Sequence, residues 1–261
     1  MIGCGNMGQA LIHGMLKVGF MHPSSLVVWD SDRGKLKKVS RVFKVRVGCS
    51  NPEAARAGII ILAVKPQQME EVLEEIKGSL AHRPLVISIA AGVSTRWIEK
   101  RLGKGIPVVR VMPNTPALVG VGMSAVAGGT AAGQGALRTA ERILGCVGRV
   151  VRVPERMINA VTAVSGSGPA YFFYLMEKMI ETGRALGLPR AVAQELVLQT
   201  AAGAALLAAS SGEDPRALRA RVTSKGGTTE AAFKVFERGQ LGAVLERGIR
   251  SAAARAKEMG G

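Results

Sequence analysis

Reactive side chains are scarce in this chain. Among 261 residues there are three cysteines and three histidines. Cys4, Cys49 and Cys146 lie far apart, with no C-x-x-C spacing and no histidine nearby. That pattern excludes a zinc site or a disulfide framework, so no metal is expected, and it fits a reducing, cytoplasmic setting. His13, His22 and His82 fall in a first helix, a turn and a loop, outside every motif described below. No titrating histidine is therefore expected in the chemistry. Aromatic residues make up only 4%, too few for the stacking surface of an RNA-binding sheet. Acidic residues number 19 against 35 Lys and Arg, a formal charge of +16. The cations are scattered through helical patterns without a basic tail, which points to solvated helix faces and anionic small ligands, not to nucleic acid.

Long apolar runs are missing too. No basic n-region followed by an apolar stretch opens the chain. The most apolar segment, LVLQTAAGAALLAAS at 196–210, is shorter than a bilayer span and rich in Ala and Gly. It reads as a tightly packed buried helix, and no membrane partner is expected. What remains is ordinary globular material, 48% hydrophobic and 21% charged, long enough for one or two domains with a sizeable core.

The first part alternates. LVVW at 26–29, IIILAV at 59–64, LVISIA at 85–90 and VVRVM at 108–112 are β-branched runs, separated by segments of helical spacing. EEVLEEIK follows Pro66, and Ser94 is placed to cap TRWIEKRL. Such alternation predicts parallel strands with crossover helices, continued by GMSAVAGG, a helix and RVVRV to about residue 153. After Pro154 the strand signal disappears. Five helical segments follow, punctuated by Gly and Pro, with Asp214 and Pro215 as a cap and first helical residue. The fold class is therefore α/β, a Rossmann-like parallel sheet domain over residues 1–153 followed by an all-helical domain over 154–261. Several of these helices are apolar around much of their circumference and are expected to pack against a second subunit.

The chain opens MIGCGNMGQ. Gly3, Gly5 and Gly8 match G-x-G-x-x-G before a helical segment, so Asn6, Met7 and Gly8 would face a pyrophosphate with unpaired N–H groups. Twenty-two positions past Gly8 stands Asp30, where an acidic residue binds the adenosine ribose of NAD. Arg33 would instead meet the 2′-phosphate of NADP. A solvated loop charge accounts for either, and the cofactor stays open between NADPH and NADH. Only Met1 and Ile2 precede Gly3, whereas a strand usually spans about five residues; the expectation is a shortened central strand and a poorly anchored first glycine.

SKGGTT at 224–229 places two glycines and two threonines before a helical pattern. The residues suit a nest of backbone N–H groups for a carboxylate, and equally an ordinary N-cap.

IGCGNMG, AVKPQ at 63–67, VMPNTPA at 111–117, SGSGPAY at 165–171 and VTSKGGTTEAAFKVFERG at 222–239 together resemble the pyrroline-5-carboxylate reductases, in collinear order over nearly the whole chain. The resemblance implies a reductase that transfers hydride from NAD(P)H to the C=N bond of 1-pyrroline-5-carboxylate, giving L-proline. It implies a homodimer formed through the helical domain, and in the family also larger rings of dimers. By resemblance Asn51, Ala63, Val64, Lys65 and Pro66 surround the adenosine, ribose and phosphates, and Met112, Pro113, Asn114 and Thr115 line the nicotinamide end. Ser224 and the N–H groups of Gly227 and Thr228 would hold the substrate carboxylate, Thr229 would reach the ring nitrogen as the catalytic residue, and Ser167 would be a weaker substrate contact. Lys225 stands where other members usually have Pro. Two rivals stay open: another NAD(P)-dependent imine reductase or hydroxyacid dehydrogenase, for which Lys225 would be the base, and a non-catalytic dinucleotide-binding protein.

Overall fold

Runs of β-branched residues set the framework. In a computed structural model that describes residues 1–259, the strands are β1 (Val27–Val28), β2 (Arg46–Val47), β3 (Ile59–Leu62), β4 (Leu85–Ser88), β5 (Val108–Met112), β6 (Gly122–Gly128) and β7 (Gly148–Arg152). Helix α1 (Asn6–Lys17) precedes β1, and α2 (Arg33–Phe43), α3 (Asn51–Ala54), α4 (Met69–Ile76), α5 (Thr95–Leu102) and α6 (Gln134–Gly145) lie between the strands. β3 to β7 pair in sequence order, and β1 pairs with β2. β3, β4 and β5 are mutually parallel and buried along most of their length, as the continuous runs IIIL and LVIS require.

Two strands depart from the expected parallel arrangement, since β7 is parallel to β6 and both run against β3 to β5. β6 runs antiparallel to β5, because the link between them holds only a 3-10 turn at Thr115–Val119, too short for the crossover that a parallel return needs. β2 went unread in the sequence: two exposed residues, one of them Arg46, carry no alternation to detect.

The opening residues overturn the expectation of a poorly anchored loop. Ile2 bridges in parallel to both Trp29 and Leu62. The Ile2 N–H donates to Ile61 (2.9 Å), Ala63 to Ile2 (2.7 Å), Trp29 to Met1 (2.9 Å) and Gly3 to Trp29 (2.7 Å). Met1 to Gly3 thus join the β1–β2 pair to the larger sheet, and satisfied backbone on both sides makes up for length. Two apolar clusters cover the sheet, one containing Leu11, Ile12, Met15 and Val109, the other Ile2, Leu62, Leu73 and Ile98.

The chain divides into two compact units, Met1–Ser167 with the segment from Ala252 onward, and Gly168–Ser251. Short helix α7 (Ile158–Val161) and a π-turn at Thr162–Gly166 go with the first unit, since Ile158 packs against Ala125 and Ala127 of β6. The second unit is helical: α8 (Gly168–Ala185), α9 (Arg190–Ser211), α10 (Pro215–Arg221), α11 (Thr228–Arg238) and most of α12 (Leu241–Glu258). Asp214 caps α10 by accepting the Arg216 N–H. The expectation of a buried helix at 196–210 needs correction. α9 has 22 residues, long and apolar enough by length and composition to cross a membrane, and only Ala193 and Val197 are buried within the chain.

Candidate functional site

The glycines of the opening loop do three different things. Gly3 has φ +97°, and a Cβ there would lie 2.5 Å from the Ala63 carbonyl oxygen. A Cβ on Gly8 would lie 2.6 Å from the Gly3 carbonyl oxygen. Side chains at either position would force α1 away from the sheet. Around Gly5 there is open space, and Gly5 caps α1 with extended backbone and no side-chain partner. The first-turn N–H groups of Asn6, Met7 and Gly8 are thus offered outward at the positive end of the helix, an arrangement suited to phosphate.

Beside this loop lies a cleft of about 280 Å³. It is smaller than typical ligand pockets of roughly 300 to 1,000 Å³. Gly3, Gly5, Asp30, Asn51, Ala63, Val64 and Lys65 line it together, with Trp29, Ser31, Lys35, Gln68, Glu71 and Glu75, which the sequence did not single out. Glu71 and Glu75 are four apart on α4, one face of the helix. That spacing was readable in the sequence, but which way the face pointed was not.

Three polar groups define the cleft. Asp30 accepts the Cys4 N–H at 2.7 Å and the Asp32 N–H at 2.9 Å, so its carboxylate is tied to the glycine loop. Asn51 donates from Nδ2 to Glu75 at 2.9 Å, which leaves its buried Oδ1 without a partner. An orphaned buried acceptor is costly unless a ligand donor reaches it, so the cleft is built to receive one. Asn51 is itself held in place from behind: Ser50 caps α3 through the Glu53 N–H, and Glu53 accepts the Cys49 N–H at 2.6 Å. That bond and a further one from the Cys49 side chain hold the Glu53 carboxyl below the usual range. Cys4 is buried, and burial together with Asp30 pushes its thiol up to about 11, so the cleft side of the loop carries no thiolate at neutral pH.

Arg33 does not line the cleft. Asp32 caps α2 by accepting the Gly34 and Lys35 N–H groups, which turns Arg33 to solvent and puts Lys35 at the cleft instead. Pro66 begins the 3-10 turn that leads into α4.

The Met112–Thr115 segment lies at the end of β5, outside this cleft. Asn114 Oδ1 accepts the Met123 N–H at 2.8 Å, and Nδ2 donates to the Ser165 carbonyl and hydroxyl at 3.3 and 3.4 Å. Its amide therefore clamps the start of β6 to the π-turn, a backbone irregularity common at functional sites. Ser167 follows that turn and donates its N–H to Thr162 at 2.8 Å. Arg110, buried on β5, pairs with Glu155 at 3.5 Å, and the same carboxylate accepts the Thr95 N–H and hydroxyl. Burial lowers the Arg110 pKa and Glu155 raises it. This triad fixes β5 against α5 and the chain beyond β7.

In the second unit Ser224, Gly227, Thr228 and Thr229 gather at the N-terminus of α11, with Gly227 as its cap. The Gly227 N–H is engaged by the Ser224 carbonyl at 3.0 Å, and the Gly226 N–H by Glu230 at 2.6 Å. The donors left for a carboxylate are those of Thr228 and Thr229, together with the Ser224 hydroxyl. Lys225 is exposed. His22 bonds to Ser24, and His82 Nε2 lies 3.1 Å from the Ala57 carbonyl. No histidine lines the cleft, and among the described residues no cluster could hold a metal ion.

Residues 155–259 match the family model for pyrroline-5-carboxylate reductase dimerisation, and residues 1–92 the model described as NADP oxidoreductase, coenzyme F420-dependent. A pyrroline-5-carboxylate reductase from Synechocystis sp. is 40% identical over 263 residues, covering 99% of this chain and 97% of that protein. The chain belongs to the pyrroline-5-carboxylate reductase family. Its fold matches that of the pyrroline-5-carboxylate reductase from Coxiella burnetii with a TM-score of 0.93 and 39% identity, over 100% of this chain and 97% of the other. The Plasmodium falciparum pyrroline carboxylate reductase, solved with NADP bound, matches with a TM-score of 0.90 and 30% identity over 100% and 97% of the two chains. Membership in the pyrroline-5-carboxylate reductase family thus extends over both units.

Proposed function

We infer that this chain is an NAD(P)H-dependent oxidoreductase that reduces the C=N bond of 1-pyrroline-5-carboxylate to give L-proline, the last step of proline biosynthesis. The observation that carries this is 40% identity across 99% of the chain, which takes in the glycine loop and the α11 turn alike. The enzyme is a homo-oligomer acting on a small molecule.

When bound, the reduced nicotinamide supplies the hydride that reaches the imine carbon. The residues of the chain bind, orient and exclude water. Gly3 to Gly8 and the first turn of α1 hold the pyrophosphate. Asn51, Ala63, Val64, Lys65 and Pro66 surround the adenosine half, supported by the orphaned Asn51 oxygen. Met112 to Thr115 line the nicotinamide end, and the Asn114 clamp keeps that segment rigid. Ser224 and the free N–H groups at the start of α11 take the substrate carboxylate; the Thr229 hydroxyl hydrogen-bonds the ring nitrogen, and Ser167 adds a lesser contact. A protonated imine is already electrophilic, so Thr229 orients and does not titrate.

Residues 1–153 serve the dinucleotide, and 154–261 serve dimerisation and the substrate. The apolar surface of α9 is covered by a second copy of the chain and not by lipid, dimers associate further into a ring, and the enzyme works in the cytoplasm without nucleic acid. The test is oxidation of NADH and NADPH by the purified chain with 1-pyrroline-5-carboxylate, comparing Thr229→Val. Turnover is expected, with kcat reduced about tenfold to a hundredfold in the variant and dinucleotide affinity unchanged, as for a lost hydrogen bond to the reacting group. Absence of turnover in the native chain, with dinucleotide still bound, would replace the reductase by a binding protein or by an enzyme for another substrate.

A further inference from the structure

We propose that this chain selects NADH over NADPH, and that Asp30 is the residue that makes the choice. The inference rests on the cleft beside the glycine loop being the adenosine end of the dinucleotide site. The Asp30 side chain is 11% exposed and lies two residues past β1, at the mouth of that cleft. Its two oxygens each accept one backbone N–H, from Cys4 and from Asp32. Those donors prevent the carboxylate from swinging away, since Cys4 is part of the glycine loop itself. Each oxygen keeps a second lone pair, enough to accept hydrogen bonds from ribose hydroxyls. A 2′-phosphate at the same place offers negative charge where the hydroxyl offers a donor, and would stand against a fixed carboxylate.

The nearby cations do not reverse this. Lys35 lies 3.6 Å from Asp32 and 3.9 Å from Asp30, so its charge is already shared between two carboxylates. Arg33, the other candidate for a 2′-phosphate, is exposed and outside the cleft. The cleft as a whole is lined by three carboxylates, Asp30, Glu71 and Glu75, and two ammonium groups, Lys35 and Lys65. The formal charge of +16 attracts any polyanion at long range, but salt screens that term while the Asp30 contact persists.

The test is equilibrium titration of the native chain with NADH and NADPH at near-physiological ionic strength, read by quenching of tryptophan fluorescence, since Trp29 lines the cleft, and repeated by calorimetry. NADH is expected to bind about tenfold or more tightly than NADPH. ADP-ribose and its 2′-phosphorylated form should show the same order, which places the discrimination at the adenosine end. Asp30→Ser should weaken NADH and strengthen NADPH; because this change also frees two backbone N–H groups, Lys35→Ala, which leaves them paired, is the second variant and should widen the NADH preference. Equal or tighter NADPH binding by the native chain would overturn the preference while leaving the dinucleotide site intact. Binding of neither coenzyme would overturn the underlying reading of the cleft.

Discussion

The two units of the chain bury their apolar residues in different ways. In the first, Ile60, Leu62, Leu73 and Ile98 are wholly buried, and the central strands β3 to β5 find their cover in helices of the same chain. In the second, Phe172, Phe173 and Tyr174 of α8 and Leu206 and Leu207 of α9 are 55–69% exposed. Contiguous apolar surface of this kind marks an interface. The first unit therefore owes its stability to its own residues, whereas under the proposed pairing with another copy the stability of the second is tied to protein concentration.

The sharpest break of that contrast is Leu206→Glu with Leu207→Glu. The pair should convert the oligomer to monomers, seen by light scattering, with loss of helical circular dichroism from the second unit and of turnover. An oligomer that survives would remove α9 from the interface. Next in size, Leu62→Ala in the first core should cost about 2 to 5 kcal/mol in chemical denaturation, by an amount independent of protein concentration. A concentration-dependent loss would mean that the first unit too leans on the partner.

Smallest is an acid effect at the cleft. The Glu53 carboxyl is held below its ordinary value by its bonds from Cys49, so the folded state favours its ionised form. The stabilisation it gives is present above the unfolded pKa and is lost as pH falls from the ordinary glutamate range through the lower, folded value. In that window the Ser50–Asn51 turn should loosen and dinucleotide affinity should fall, and Glu53→Gln should show the weakened affinity already at neutral pH. Identical pH profiles for native and variant chains would show that Glu53 does not support the cleft.

Local signals were legible wherever the determinant was local. The Ser94 and Asp214 caps, the glycine loop and the change from strands to helices follow from spacing within a few residues. Signals made by assembly were not. Asn114 looks like part of a ligand segment in the sequence, yet its amide is used to tie Met123 to Ser165, which lies 51 residues beyond Asn114. Arg110 reads as an apolar strand interrupted by a charge, and only its meeting with Glu155 makes it a joint. Lys35 displaced Arg33 because the Asp32 cap set the rotation of α2. The two-residue opening strand misled most, since its support comes from Ile61 and Trp29 on either side, both distant in sequence.

By itself the sequence determined the fold class, the helical second half, the glycine loop at the start of α1 and the family, because each rests on short-range backbone preferences and on residue order. Tertiary structure alone decided that Ile2 joins two sheets, that Asp30 is fixed to the glycine loop, and that Lys35, Glu71 and Glu75 share one cleft with Asn51. The physical reason is the same in all three: hydrogen bonds and charges act over a few ångströms of space, and the chain brings those groups within that reach only by folding.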